Sequence, residues 1–177
     1  MVEELSVSLR ELEIDDAACL TAIINNKKVW DNLDDVPYPN TQKDSEDFIH
    51  FLSAQKDQKI AFAICYESKV IGWIGVFRRE NIRRLTGELG YYTAEEYWGR
   101  GITTEAIKQM CNHVFENTEV VRIFAEVFFF NEASCRVLEK ASFLFEGLLQ
   151  QNAIKNGQII DMKLYAITKK RWKETKR

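Results

Sequence analysis

The stretch Gly87-Glu88-Leu89-Gly90-Tyr91-Tyr92-Thr93-Ala94-Glu95-Glu96-Tyr97-Trp98-Gly99-Arg100-Gly101-Ile102-Thr103-Thr104-Glu105-Ala106 carries the chain from a strand into a helix. The strand is Leu85–Thr93, and alternation puts Glu88, Gly90 and Tyr92 on one face, Leu89 and Tyr91 on the other. The helix starts at Ile102. Ile102, Ala106, Met110 and Val114 make one row at four-residue spacing, and Ile107, Cys111 and Phe115 make the adjacent one. Between them lie Gly99 and Gly101. Glycine admits positive φ and close backbone approach. The first turn of a helix adds unpaired N–H donors and a partial positive charge, which together suit a phosphate. Arg100 and the hydroxyls of Thr103 and Thr104 could contribute further contacts. The same residues serve equally as a plain strand-to-helix turn. They match neither G-x-x-x-x-G-K-[ST] nor G-x-G-x-x-G.

Upstream, Val7–Leu12 alternates and reads as a first strand. Asp15 or Asp16 caps a helix to about Lys28, with Ala18, Ala22 and Val29 among its apolar positions. A loop with Pro37 and Pro39 follows. Thr41 then caps a second helix through about Gln55, striped by Phe48, Ile49 and Leu52. Ile60–Tyr66 and Lys69–Phe77 flank Glu67-Ser68 as a hairpin. Downstream come a strand Val120–Phe128, a helix Glu132–Ala141, and strands Phe143–Gln150 and Gln158–Thr168. The order β-α-α-β-β-β-α-β-α-β-β is that of an α/β (α+β) sheet of about seven strands flanked by about four helices.

At 177 residues the chain fits a single domain, taken as 1–168, with 169–177 as a basic solvated tail. Hydrophobic residues at 46% and charged residues at 29% exclude global disorder. No apolar run is long enough to span a bilayer, and MVEELSVSLRELEIDD lacks the features of a secretory signal, so a cytoplasmic protein is expected. The formal charge of −3 is unevenly spread. The last ten residues hold six bases and one acid, leaving −8 on residues 1–167, and an acidic body argues against nucleic-acid binding. Cys19, Cys65, Cys111 and Cys135 are scattered and the histidines are two, so no metal site is expected and the cysteines read as buried free thiols.

The strand-to-helix segment resembles the acyl-CoA pyrophosphate loop of the GNAT superfamily of N-acetyltransferases, (Gln/Arg)-x-x-Gly-x-(Gly/Ala). E-L-G-Y-Y and E-Y-W-G-R-G-I-T-T-E-A are similar to the branch of ribosomal-protein N-terminal acetyltransferases (RimJ/RimL type). Downstream, Asn131-Glu132-Ala133-Ser134, Val137-Leu138-Glu139-Lys140 and Phe143 match that branch's N-x-x-S-x-x-V-L-E-K-x-G-F. Glu146-Gly147, Asn156-Gly157, Asp161 and Tyr165 continue its pattern, and the likeness is closest over residues 86–168. Five positions depart. Trp98 stands where the superfamily has Gln or Arg, Thr103 replaces Gly or Ala, and Ser142 replaces a Gly. Leu138 occupies the place of a tyrosine proposed as general acid in many relatives, and a RimL-type glutamate aligns with Ala153.

The resemblance implies a GNAT fold and transfer of an acetyl group from acetyl-CoA, as co-substrate without a metal, to a primary amine. The amine must be neutral to attack. A lysine-type amine is less than roughly 0.1% neutral at pH 7, and an α-amine about a tenth. Glu88 is the expected base, direct or through water, against a reading as an exposed edge-strand carboxylate. Backbone groups of Tyr91 and Tyr92 are expected to meet the thioester and pantetheine, as are Asn131 and Ser134. The cofactor loop is Trp98, Gly99, Arg100, Gly101, Ile102, Thr103 and Thr104. Ser134 is the candidate proton donor to the leaving thiolate, and Asn131 also reads as a helix cap.

Residues 31–47 hold Asp31, Asp34, Asp35, Asp44, Glu46 and Asp47 against Lys43. This stretch is either an acidic lip for a cationic acceptor (a protein N-terminus, a polyamine or an aminoglycoside) or a solvated loop with helix-start acids. Trp30, Asp34, Asp35 and Tyr38 are the candidate acceptor contacts, with core packing the alternative for the aromatics. A catalytically degenerate acyl-CoA-binding sensor or scaffold is the competing function, and a monomer or homodimer is expected.

Overall fold

Seven strands lie in a single mixed sheet of order β1-β2-β3-β4-β5-β7-β6, in a computed structural model that describes residues 6–34 and 36–176. The strands are β1 (Val7–Arg10), β2 (Lys59–Tyr66), β3 (Lys69–Arg78), β4 (Thr86–Thr93), β5 (Arg122–Phe128), β6 (Leu144–Lys155) and β7 (Gln158–Thr168). Six α-helices occur among the described residues: α1 (Ala17–Ile24), α2 (Lys27–Trp30), α3 (Gln42–Ser53), α4 (Ile102–Asn117), α5 (Glu132–Lys140) and α6 (Lys169–Thr175). The expected element order holds, with two additions.

The first helix is broken in two. Asn26 adopts extended backbone and its side chain accepts from the Lys28 N–H, which ends one helix and caps the next. Its buried face is Ala17, Leu20, Ile23 and Ile24, while Ala18 and Ala22 are exposed. At Thr41 the cap is as expected. Its hydroxyl accepts from the Asp44 N–H at 3.2 Å while Asp44 accepts the Thr41 N–H at 2.7 Å, a reciprocal pair contributing about 1 kcal/mol. The hairpin turn is also as read. Glu67 and Ser68 both take positive φ, matching the twist of the strands they join.

The second addition is a helix in the basic tail, most of whose charged residues stay exposed while one side chain docks. Residues Lys169–Thr175 form α6, and Trp172 is buried with its ring 5.4 Å from that of Phe115. Its Nε1–H donates to Asn112 at 2.7 Å, and the Arg171 guanidinium donates to the Ser142 carbonyl at 2.8 Å. One buried indole fixes a segment whose charges suggested solvent.

Two cores sandwich the sheet. On one face α4 and α5 bury Ile102, Ala106, Ile107, Met110, Val114, Phe115 and Leu138 against β3, β4, β5 and β7. On the other, α1 and α3 cover Trp73 and Tyr92. Trp73, Gly75, Glu88, Gly90 and Tyr92 share that second face, through the pairs Trp73↔Tyr92 and Gly75↔Gly90. The Trp73 indole lies flat across both glycines. A Cβ on Gly75 would stand 2.7 Å from its Cζ2, and one on Gly90 3.3 Å from the ring. The two glycines therefore make a seat for the indole beside Glu88.

Strands β4 and β5 run parallel, joined through α4 as a crossover unit. They pair only over Thr86–Glu88 and Arg122–Phe124. Beyond Glu88 the strands part, and one edge of β4 loses its partner.

Candidate active site

Where β4 and β5 separate, a cavity of about 860 Å³ opens. It runs from the start of α4 to the α2–α3 connection. Gly99 and Gly101 both have left-handed φ, 76° and 81°. At Gly99 a Cβ would meet nothing within 4 Å, so backbone conformation and not space calls for glycine there. Gly101 caps the sixteen-residue α4 with no side-chain hydrogen bond. Among the described residues no protein acceptor meets the N–H groups of Gly99, Arg100 or Gly101. A 16-residue helix with bare first-turn donors at a cavity edge fits the pyrophosphate of a nucleotide co-substrate.

The structure divides the predicted loop residues by role. Trp98 bonds the Thr93 carbonyl through Nε1 at 2.9 Å and keeps an exposed face, and Thr103 shares a 3.1 Å hydroxyl contact with Thr93. Both line the cavity with Gly99. Ile102 and Thr104 do not, because helical phase turns their side chains into the core, leaving only their backbone near the loop. Arg100 lies 5.6 Å over the Tyr97 ring, outside the wall.

On the helix α5 side, Asn131 accepts from the Ser134 N–H at 3.0 Å and caps that helix, so its side-chain oxygen is engaged in structure. The Ser134 hydroxyl is 2.6 Å from the Tyr91 hydroxyl, and both residues line the cavity. Burial pushes the Tyr91 phenol well above its ordinary range, against a smaller opposing effect of the Ser134 hydrogen bond. Tyr91 is therefore neutral, and either hydroxyl can donate in this contact. Leu138 is fully buried in the α4–α5 core, and Ala153 packs beside Phe128, Ile160 and Met162.

Glu88 is half-buried at the last position of β4 that pairs with β5, opposite Phe124. Arg79 Nη2 donates to its Oε2 at 2.6 Å. Burial raises the Glu88 carboxyl above the usual carboxylate range, Arg79 pulls it back, and the charges of Glu126 and Asp34 push it up again. Glu126 escapes the sequence reading. It stands on the same face of β5 as Phe124, lines the cavity, and accepts from the Asn152 amide at 3.1 Å. A signal existed: Ile123, Ala125 and Val127 alternate as core, which leaves Glu126 facing the other way.

The acceptor-side candidates separate as well. Asp34 is on the wall, with Asp44, Asp47 and Phe48. Trp30 and Tyr38 are not. Their rings stack at 4.8 Å, and the Trp30 Nε1–H donates to the Val36 carbonyl at 2.7 Å, so they brace the connection from behind. Asp35 lies outside the described residues. Among the described residues, Asp34, Asp44, Asp47, Glu88 and Glu126 are the charged groups of the wall, with no Lys, Arg or His. Glu88 is paired with Arg79 and Asp47 with Lys43 from outside the wall, and the remaining carboxylates favour a cationic guest.

Residues 6–144 match the family model described as an acetyltransferase (GNAT) domain. The chain belongs to the GNAT acetyltransferase family. Among GNAT relatives it is 26% identical over 171 residues to the uncharacterized N-acetyltransferase p20 of Bacillus licheniformis, covering 94% of each chain. It is 31% identical over 105 residues to the ribosomal-protein-serine acetyltransferase of Escherichia coli, covering 59% of this chain and 58% of that protein. The branch suggested by the motifs is thus represented. A solved GNAT structure, spermidine N-acetyltransferase from Vibrio cholerae in complex with CoA and spermine, superposes with a TM-score of 0.82 at 21% identity, over 94% of this chain and 98% of that one. The chain is an N-acetyltransferase domain that uses acetyl-CoA. No helix among the described residues is long and apolar enough to cross a membrane.

Proposed function

We propose that this acetyltransferase moves the acetyl group of acetyl-CoA onto a cationic primary amine, bound with acetyl-CoA in a ternary complex. The observation carrying this reading is the wall of five carboxylates without a basic residue among those described, adjoining the gap between β4 and β5. Asp34, Glu88 and Glu126 attract the ammonium form. Glu88, direct or through water, takes the proton that the amine must lose. The neutral nitrogen then adds to the thioester carbonyl, whose oxygen gathers charge beside the unpaired edge of β4 at Tyr91 and Tyr92. Collapse breaks the C–S bond. The Ser134 hydroxyl, 2.6 Å from the Tyr91 hydroxyl, donates a proton to the departing thiolate and regains through water the one that the adduct nitrogen sheds, while Tyr91 stays neutral. The pyrophosphate rests on the N–H groups of Gly99 to Thr103, with Arg100 as a flanking charge.

Two acceptor classes meet these demands, a basic protein N-terminus and a small polyamine or aminoglycoside. The test is CoA release with acetyl-CoA against peptides with basic N-termini, polyamines and aminoglycosides. Turnover of a cationic amine, and none of a neutral or anionic one of equal size, is the expected result. Tight acetyl-CoA binding with no turnover across the panel would replace the enzyme by an acyl-CoA sensor.

A further inference from the structure

The connection between α2 and α3 gives the cavity Asn32, Leu33, Asp34, Val36, Pro37 and Asn40. Among the described residues it has no helix or strand after Trp30, so its shape must be imposed by contacts from elsewhere. At its far end Asn25 does this. The Asn25 amide donates to the Asn40 carbonyl and accepts the Asn40 N–H, each at 2.8 Å. At its near end the contact comes from 122 residues downstream. Lys155, the last residue of β6, donates through Nζ to the Leu33 carbonyl at 2.7 Å and to the Trp30 carbonyl at 3.3 Å. The same ammonium is 4.0 Å from the centre of the Trp30 ring. Trp30 in turn holds Val36 through its indole N–H.

We propose that Lys155 is a positioning residue for the acceptor: its ammonium ties the Trp30 and Leu33 carbonyls and thereby holds Asp34 on the cavity wall. The residue type suits the task. Helix α2 is a single turn: the Trp30 carbonyl accepts the Leu33 N–H at 2.9 Å, and among the described residues no backbone donor meets the Leu33 carbonyl, which is left to the ammonium. An ammonium offers three donors that can fan to two carbonyls while its charge faces an indole. Partial burial of Lys155 pushes its ammonium below the usual lysine range, and the charges of Asp31 and Asp34 counter that shift. Neither acid is within ion-pairing distance of it. The tether is therefore made to backbone and ring, and Asp34 stays available to a guest.

This inference rests on the reading of the cavity as an amine site, so its test has one arm that needs no turnover. Lys155→Met keeps the stem and removes the charge and donors, and Lys155→Arg restores both. In Lys155→Met, amide hydrogen exchange over residues 31–37 should accelerate about tenfold or more while α4 and its neighbours keep their protection. KM for the amine should rise about tenfold, with kcat within twofold and acetyl-CoA affinity unchanged. Lys155→Arg should recover most of both effects. Unchanged exchange over 31–37 in Lys155→Met overturns the tether. Accelerated exchange with an unchanged amine KM overturns the link to acceptor binding. If the wild-type protein turns over no amine, the proposed activity fails instead, and the exchange arm alone decides the tether.

Discussion

Replacing Ser142 by glycine should stabilise the protein, and the geometry sets how much. Helix α5 ends at Lys140, and Ser142 follows with a left-handed φ of 71°. The Phe143 N–H returns to the Leu138 carbonyl at 3.0 Å and the Ser142 N–H to the Glu139 carbonyl at 2.9 Å, the paired bonds of a Schellman cap. Phe143 and Leu138 are both buried beneath it. The cap demands the left-handed residue, and an L side chain there costs roughly 1–2 kcal/mol. Glycine removes that strain but frees the unfolded chain, which takes back about 0.4–1 kcal/mol. The balance is about 0.5–1 kcal/mol in favour of Ser142→Gly, or roughly 1–4 °C in Tm for a domain of this size. Ser142→Ala separates the causes. The serine hydroxyl makes no hydrogen bond among the described residues, and only the Ser142 carbonyl is used, by Arg171. Alanine keeps the strain and should leave Tm near wild type. Urea unfolding with unchanged m-values reads both variants. Equal stability of Ser142→Gly and wild type, or an equal gain from alanine, would refute the strain argument.

Three further outcomes concern the site. Glu88 acts as base only when ionised, so activity falls as pH drops through its pKa, and Arg79 opposes the upward push of burial. Arg79→Gln should therefore move the acid limb of kcat/KM to higher pH, and a fixed limb removes Glu88 from the base role. Gly101→Val forces a β-branched residue to a φ of 81° at the head of α4. Acetyl-CoA affinity by calorimetry should fall at least about tenfold, and retained affinity would move the pyrophosphate elsewhere. Asp34→Asn should raise KM for a polycationic amine severalfold at low salt and far less at about 0.15 M, where screening shortens the reach of the charge. A salt-independent effect would mean that Asp34 acts by contact instead of by field.

What could be read from the sequence was whatever depends on neighbours along the chain. The two apolar rows of α4, the Thr41 cap, the Glu67-Ser68 turn and the glycines before Ile102 each involve residues within a few positions of one another. The errors share an opposite cause. Ala18 and Ala22 are apolar but small, and the phase of α1 is set by Leu20, Ile23 and Ile24, which bury more area. Composition made 169–177 look solvated, whereas one tryptophan meeting Asn112 and Phe115 docks it. Glu126 and Lys155 matter because of which strands stand beside them, and that follows from the β5-β7-β6 order, which no local pattern announces. Trp30 and Tyr38 flank the acceptor region without lining the cavity, because their rings pack on each other and on the connection.

That strand order also constrains how the sheet can be assembled during synthesis. β5 and β6 are not neighbours, and β7 sits between them, pairing with both. Until Gln158–Thr168 has been made, the outer edge of β5 has no partner, although its other edge already pairs with β4. β7 then adds to that edge and carries β6 beyond it, which brings Lys155 to the α2–α3 connection. A nascent chain stalled before Gln158 would carry the cofactor loop and all five carboxylates of the wall, together with an open strand edge prone to pair with other chains. The acceptor wall is thus among the first parts of the domain to be synthesised and the last to be locked.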